Sequence, residues 1–92
     1  ILPPDYFSMG AGYPNPFNGS VSFPVNSTRS GPIQVSIFSI NGKLVSQFKS
    51  SVIENSNRVI RWIPESTVST GTYFVSVHSN QITQSQKILF IK

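Results

Sequence analysis

A chain of 92 residues makes one small domain, not two. It contains no cysteine, which excludes disulfides, thiolate metal sites and cysteine nucleophiles. Lys and Arg number 7 against 3 Asp and Glu, for a net charge of +4. The cations Arg29, Lys43, Lys49, Arg58, Arg61, Lys87 and Lys92 are scattered and form no basic run interleaved with aromatics, which argues against a nucleic-acid groove.

The chain starts at Ile1 with no basic-then-apolar leader, and reads as a piece cut from a longer protein. Its apolar runs all fall short of the ~20 residues a membrane-spanning helix needs.

In chain order, residues 1–18 read as an irregular lead-in, with prolines at 3, 4, 14 and 16. Residues 19–92 read as the folded unit. Val21-Ser22-Phe23-Pro24-Val25 alternates, with Val21, Phe23 and Val25 on one face. Pro24 cannot donate to a ladder, so this is expected as an edge or bulged strand. Asn26 to Pro32 reads as a polar turn. The strongest strand is Ile33 to Ile40, followed by the hairpin signal Asn41-Gly42 and a return strand from Lys43 to Phe48.

Two registers are open for that hairpin. A two-residue turn pairs Ile37 with Ser46 and Val35 with Phe48, and gathers Ile33, Val35, Ile37, Leu44 and Phe48 on one face. A three-residue loop with Gly42 in a bulge slips the pairing, so that Ile37 faces Val45. Either way Phe38 and Ile40 make the second face too apolar for open water. Its cover is expected from the proline-rich N-terminal segment or from the parent protein.

Ser50 to Asn57 reads as a polar connection despite Val52 and Ile53. Arg58 to Ile63 is a strand ended by Pro64, with Trp62 as the centre of the core. After a loop, Gly71 opens a strand whose Tyr73, Val75 and Val77 point inward. Ser79-Asn80-Gln81 turns the chain, and residues 82–92 form the last strand. Six or seven short strands with frequent turns and no helical period predict an all-β, immunoglobulin-like antiparallel sandwich.

The chemistry-bearing residues are sparse. His78 is the one histidine and Asp5 the one aspartate, with Asp5 in the lead-in, so a Ser-His-Asp set is not expected. Glu54 and Glu65 would have to converge from separate loops to act as a carboxylate pair. The spacing matches neither zinc nor calcium ligation, and no cofactor is expected. Asn18-Gly19-Ser20 and Asn26-Ser27-Thr28 fit the glycosylation sequon, but read as turn chemistry. A chain without a catalytic set is expected to be bound, or to bind.

One stretch gives that expectation an address. "YPNPFNGSVSFPV" (residues 13–25) resembles the start of the type A C-terminal sorting domains of the type IX secretion system. "VSIFSINGKLV" (35–45) resembles that family's strand-Gly-strand segment, with Gly42 at the turn. "GTYFVSVHSNQITQSQKILFIK" (71–92) resembles its closing Gly-x-Tyr strand and Lys-led final strand. The likeness covers residues 13–92. It departs in the loop "PESTVST" (64–70), which is shorter than the Gly/Asp/Asn-rich loop of many relatives and of a related hook-capping domain.

The resemblance implies a non-catalytic module on the C-terminal side of a cargo domain. Such a module is recognised in the periplasm by the outer-membrane secretion machinery and then reaches the cell surface or medium. A surface sortase-like peptidase commonly removes it. The residues expected to carry recognition are Gly71, Tyr73, Lys87, Ile88, Leu89, Phe90, Ile91 and Lys92. Those expected to hold the signal's shape are Tyr13, Pro14, Asn15, Pro16, Phe17, Asn18, Gly42 and Trp62. The prolines press Tyr13 and Asn15 toward extended backbone and stiffen the entry. The terminal strand is the better candidate for direct reading, because a strand edge offers backbone hydrogen bonds to a partner. The alternatives are a carbohydrate-binding or adhesion module, and a structural spacer.

Overall fold

The structure is a computed structural model, and it describes residues 7–79 and 82–92. Asp5 and the Asn80-Gln81 turn therefore lie outside the described residues. Seven strands build two antiparallel sheets: β1 (Phe7–Met9), β2 (Val21–Ser27), β3 (Gly31–Ser39), β4 (Leu44–Val52), β5 (Asn57–Trp62), β6 (Gly71–Ser79) and β7 (Ile82–Phe90). One sheet has the order β1-β2-β5 and the other β4-β3-β6-β7. This is the immunoglobulin-like sandwich expected from the strand pattern.

Strict alternation puts one apolar row of each sheet inside. Val21, Phe23 and Val25 of β2 meet Val35, Ile37, Val75 and Val77 of β3 and β6, all of them buried. Trp62 is 4% exposed and closes one end of this layer. Its neighbour Tyr73 is buried as well and donates its hydroxyl to the Ser69 carbonyl at 2.6 Å. A tyrosine tied back in this way at the start of a strand is a recurring device of immunoglobulin-like sandwiches.

Four local expectations are corrected. The lead-in is not irregular throughout. Residues 7–9 form β1, paired with Val25–Ser27, and Phe7 and Phe17 both belong to the core. β2 is not an edge strand either, since it lies between β1 and β5. Pro24 is tolerated there because its nitrogen lies where β1 ends. Its carbonyl still accepts from Gly10 N at 2.8 Å. The Gly10 carbonyl, which an ordinary residue at 24 would serve, accepts instead from Gln86 Nε2 at 2.9 Å. The pairing partner at that point must be glycine, for a Cβ on Gly10 would stand 2.7 Å from Pro24 Cγ.

The third correction is that β4 runs on to Val52, which is buried, so the polar connection starts only at Ile53. The fourth concerns the hairpin, which combines the two registers. Ser39 N donates to Lys43 O at 2.8 Å, leaving a three-residue loop of Ile40, Asn41 and Gly42, with Gly42 at φ 86°. That loop alone would slip the pairing by one. A second irregularity restores it: Phe38 pairs with Leu44, and Ile37 with Ser46, so Val45 is the extra residue. Val45 packs against the core, and Leu44, expected inside, is exposed.

Residues 7–18 do not cover the outer face of the four-stranded sheet. Ile40 remains 72% exposed, and Phe74 and Leu89 are 38% exposed each.

Candidate functional site: the C-terminal strand and its latch

Three groups of residues singled out in the sequence meet on β7. Within a strand the N–H and C=O of one residue point to the same side, and successive residues point to opposite sides. β7 pairs with β6 along its whole length, from Ser79↔Ile82 to Gly71↔Phe90. Its odd-numbered residues turn their backbone groups away from β6, toward the edge of the sheet.

At the chain's end those edge groups are taken by the motif Tyr13 to Asn18. Leu89 N donates to Asn15 Oδ1 at 3.0 Å, and Leu89 O accepts from Phe17 N at 3.0 Å. Ile91 N donates to Phe17 O at 2.8 Å, and Ile91 O accepts from Asn18 Nδ2 at 2.7 Å. Phe17 thus forms a parallel bridge with Phe90, a single residue of added strand. Two asparagine side chains complete the pattern, because an amide supplies both an acceptor and donors.

The latch is anchored at both of its own ends. Tyr13 exchanges two hydrogen bonds of 2.9 Å with Ser22 of β2. The bonds Tyr13-Pro14 and Asn15-Pro16 are both cis. The Phe17 ring is 2% exposed. It stacks on Phe90 with centroids 5.0 Å apart, and tilts against Trp62 at 5.8 Å. Trp62 in turn meets Tyr73 edge-on at 5.9 Å. Four aromatics from distant parts of the sequence therefore form one stack, in a geometry that adds to burial.

Sequence reasoning missed a second clamp. The Gln86 side chain donates to Gly10 O and accepts from Gly12 N at 2.7 Å. Gly12 is buried, and a Cβ there would lie 2.6 Å from Phe23 Cε1. The signal was present: Gln84 and Gln86 occupy inward positions of an alternating strand, where a polar side chain needs a polar partner.

The expected recognition residues divide by burial. Tyr73, Ile88 and Phe90 face the core, where they set the shape of the domain. Lys87, Leu89, Ile91 and Lys92 are exposed. Lys92 N donates to Thr70 Oγ1 at 2.8 Å, and Lys92 Nζ donates to the Ser66 carbonyl. Gly71 opens β6 with ordinary room around it, so no close approach demands glycine there, whereas the positive φ of Gly42 does.

The other chemistry stays dispersed. His78 is exposed, with Nδ1 2.8 Å from Thr83 Oγ1. Among the described residues no cluster of His, Cys, Asp and Glu is placed to hold a metal. A cleft of about 420 Å³ opens beside Trp62, Tyr73 and Glu65, but both rings are buried and offer no flat stacking platform to a sugar.

Comparison with known proteins agrees with this architecture. The solved structure of dimeric latent PorU from Porphyromonas gingivalis matches with a TM-score of 0.72 at 19% identity. The match covers 98% of this chain and 10% of that one, so the likeness concerns the fold of one small part of a larger protein. No curated protein matches. The family model described as "Secretion system C-terminal sorting domain" matches residues 11–92. The match begins just ahead of the latch and includes all of β2 to β7, and on it the chain belongs to the family of type IX secretion C-terminal sorting domains.

Proposed function

We propose that this sandwich is a self-contained export address, read in the periplasm while its cargo precedes it in the parent chain. A peptidase on the cell surface then separates the two, and the domain itself performs no catalysis. The observation that carries this reading is the family match over residues 11–92. The latch supports it further. β7 is held into the fold by the latch, so a machine that engages β7 also tests whether the domain has folded.

The test is a reporter with an ordinary export leader, fused at its C-terminus to residues 1–92. It is expressed in a bacterium with a working type IX system and in an isogenic strain without one. The reading predicts reporter on the surface or in the medium of the first strain only. Equal periplasmic retention in both strains, with the domain folded, would refute it. Deleting residues 87–92 is a poor substitute, because Ile88 and Phe90 are core residues and their loss unfolds the signal as well as removing it.

A further inference from the structure

The latch fills only part of the β7 edge. Thr83, Ser85 and Lys87 also turn their N–H and C=O groups away from β6, and among the described residues none of these groups is engaged. Beside them, Phe17 already occupies the adjoining position as a one-residue added strand. The result is a slot of about 13 Å, bounded at one end by Phe17, with six backbone groups facing outward.

Exposed strand edges are normally blunted by charge, bulges or cover. On this domain the β4 edge is broken by the bulge at Val45. The β7 edge is straight from Ile82 to Phe90 and carries one cation, Lys87. Lys87 pairs across the strands with Phe74, and both side chains lie exposed on the outer face. Asn15, Lys87 and Leu89 also line a shallow depression there.

We propose that residues 83–87 are the docking slot for a short extended segment of the secretion machinery, which adds as a strand beside β7 and places an acidic side chain opposite Lys87. The backbone groups select a β-strand and no other element, because only an extended segment presents donors and acceptors at the matching spacing. The acidic character follows from complementarity: the chain carries +4, and Lys87 has no carboxylate partner among the described residues. The Phe74 and Leu89 side chains give an apolar residue of the same segment a surface to cover. The inference rests on the sorting reading above and adds where and by what chemistry the domain is read.

Proline at an outward position of an edge strand removes a donor without touching the ladder behind it. Ser85→Pro therefore blocks strand addition at the centre of the slot. Ser51→Pro is the matched control, since Ser51 faces outward on the β4 edge of the same sheet. Lys87→Glu, with Lys49→Glu as its counterpart, repeats the comparison with surface charge alone. All four are read in the two-strain reporter assay beside the unaltered fusion, with thermal melting of each purified domain as the control for folding.

The expected result is export reduced about tenfold or more by Ser85→Pro and by Lys87→Glu, the loss of one or two charge-assisted or backbone hydrogen bonds. The β4 variants should export normally and all domains should melt within a few degrees of one another. Normal export of Lys87→Glu and of a folded Ser85→Pro would overturn the slot while leaving the sorting reading intact. Equal loss in the β4 variants would overturn it too. Failure of the unaltered fusion to leave the cell would overturn both.

Discussion

Replacing Phe17 by alanine tests whether the lead-in is a linker or part of the fold. The ring is buried between Phe90 and Trp62, with centroid distances of 5.0 and 5.8 Å. Truncating a buried phenylalanine costs about 3–5 kcal/mol, the transfer term plus the cavity left behind. A domain of this size holds about 5–15 kcal/mol in total. The change therefore removes about a fifth of the stability or more. At roughly 4–8 °C per kcal/mol for a chain of this length, the melting temperature falls by about 12 °C or more. Circular dichroism of the purified chain measures it, and Trp62 fluorescence reports the same event, because the indole loses a packing neighbour and gains water. A drop of less than about 3 °C with unchanged fluorescence would mean that Phe17 merely rests on the sandwich and that the motif does not latch it.

Other consequences follow from single contacts. Gly42→Ala forces a side chain into the left-handed region and should cost about 1–2 kcal/mol, while Gly71→Ala, in open backbone, should be neutral or slightly stabilising; chemical denaturation of the pair separates the two. Gln86→Leu leaves the Gly12 N–H and Gly10 carbonyl without their partner, and should cost about 1–3 kcal/mol. A loss below about 0.5 kcal/mol would mean that solvent replaces the clamp freely. Asn15→Ala removes the acceptor for Leu89 N and should cost about 0.5–1.5 kcal/mol, with hydrogen exchange at the Leu89 amide accelerating more than at Val75.

Much of this architecture was legible in the sequence, and what was missed has a common cause. Period-two alternation located β2, β3 and β6 and put Tyr73, Val75 and Val77 inside, while Pro64 marked the end of β5 and the size of Trp62 placed it in the core. Alternation is a local property, and a half-buried strand displays it directly. The errors lie where a remote partner decides. Pro24 read as an edge signal because a central strand needs its donors. Gly10 and Gln86, 14 and 62 residues away, make that donor unnecessary. Val52 read as loop because its neighbours are polar, yet its partner Gly31 draws β4 on to it. The hairpin offered two consistent registers, and the chain uses the loop of one and most of the pairing of the other. The bulge at Val45 that reconciles them depends on packing against the core.

The candidate site shows the same division. The terminal strand and the Tyr13-to-Asn18 motif were both recognisable as segments. That they bind each other was not. Asn18 reads locally as turn chemistry and Asn15 as extended backbone before a proline, and only the fold reveals Oδ1 of Asn15 and Nδ2 of Asn18 as stand-ins for backbone groups on a strand edge. The composition of the motif matches what the edge requires, with aromatics for the stack, amides for the open backbone groups and prolines to hold the path between them.

The lead-in closes the last part of the β7 edge and leaves the rest open, and residue-resolved amide hydrogen exchange of the folded chain tests this most directly. Leu89 and Ile91 donate to the latch, so their amides should be protected, while those of Ser85 and Lys87, facing outward without partners, should exchange at close to the free rate. Protection of all four amides would mean that the slot is already occupied, and rapid exchange of all four that the latch does not hold; either result would contradict a half-closed edge.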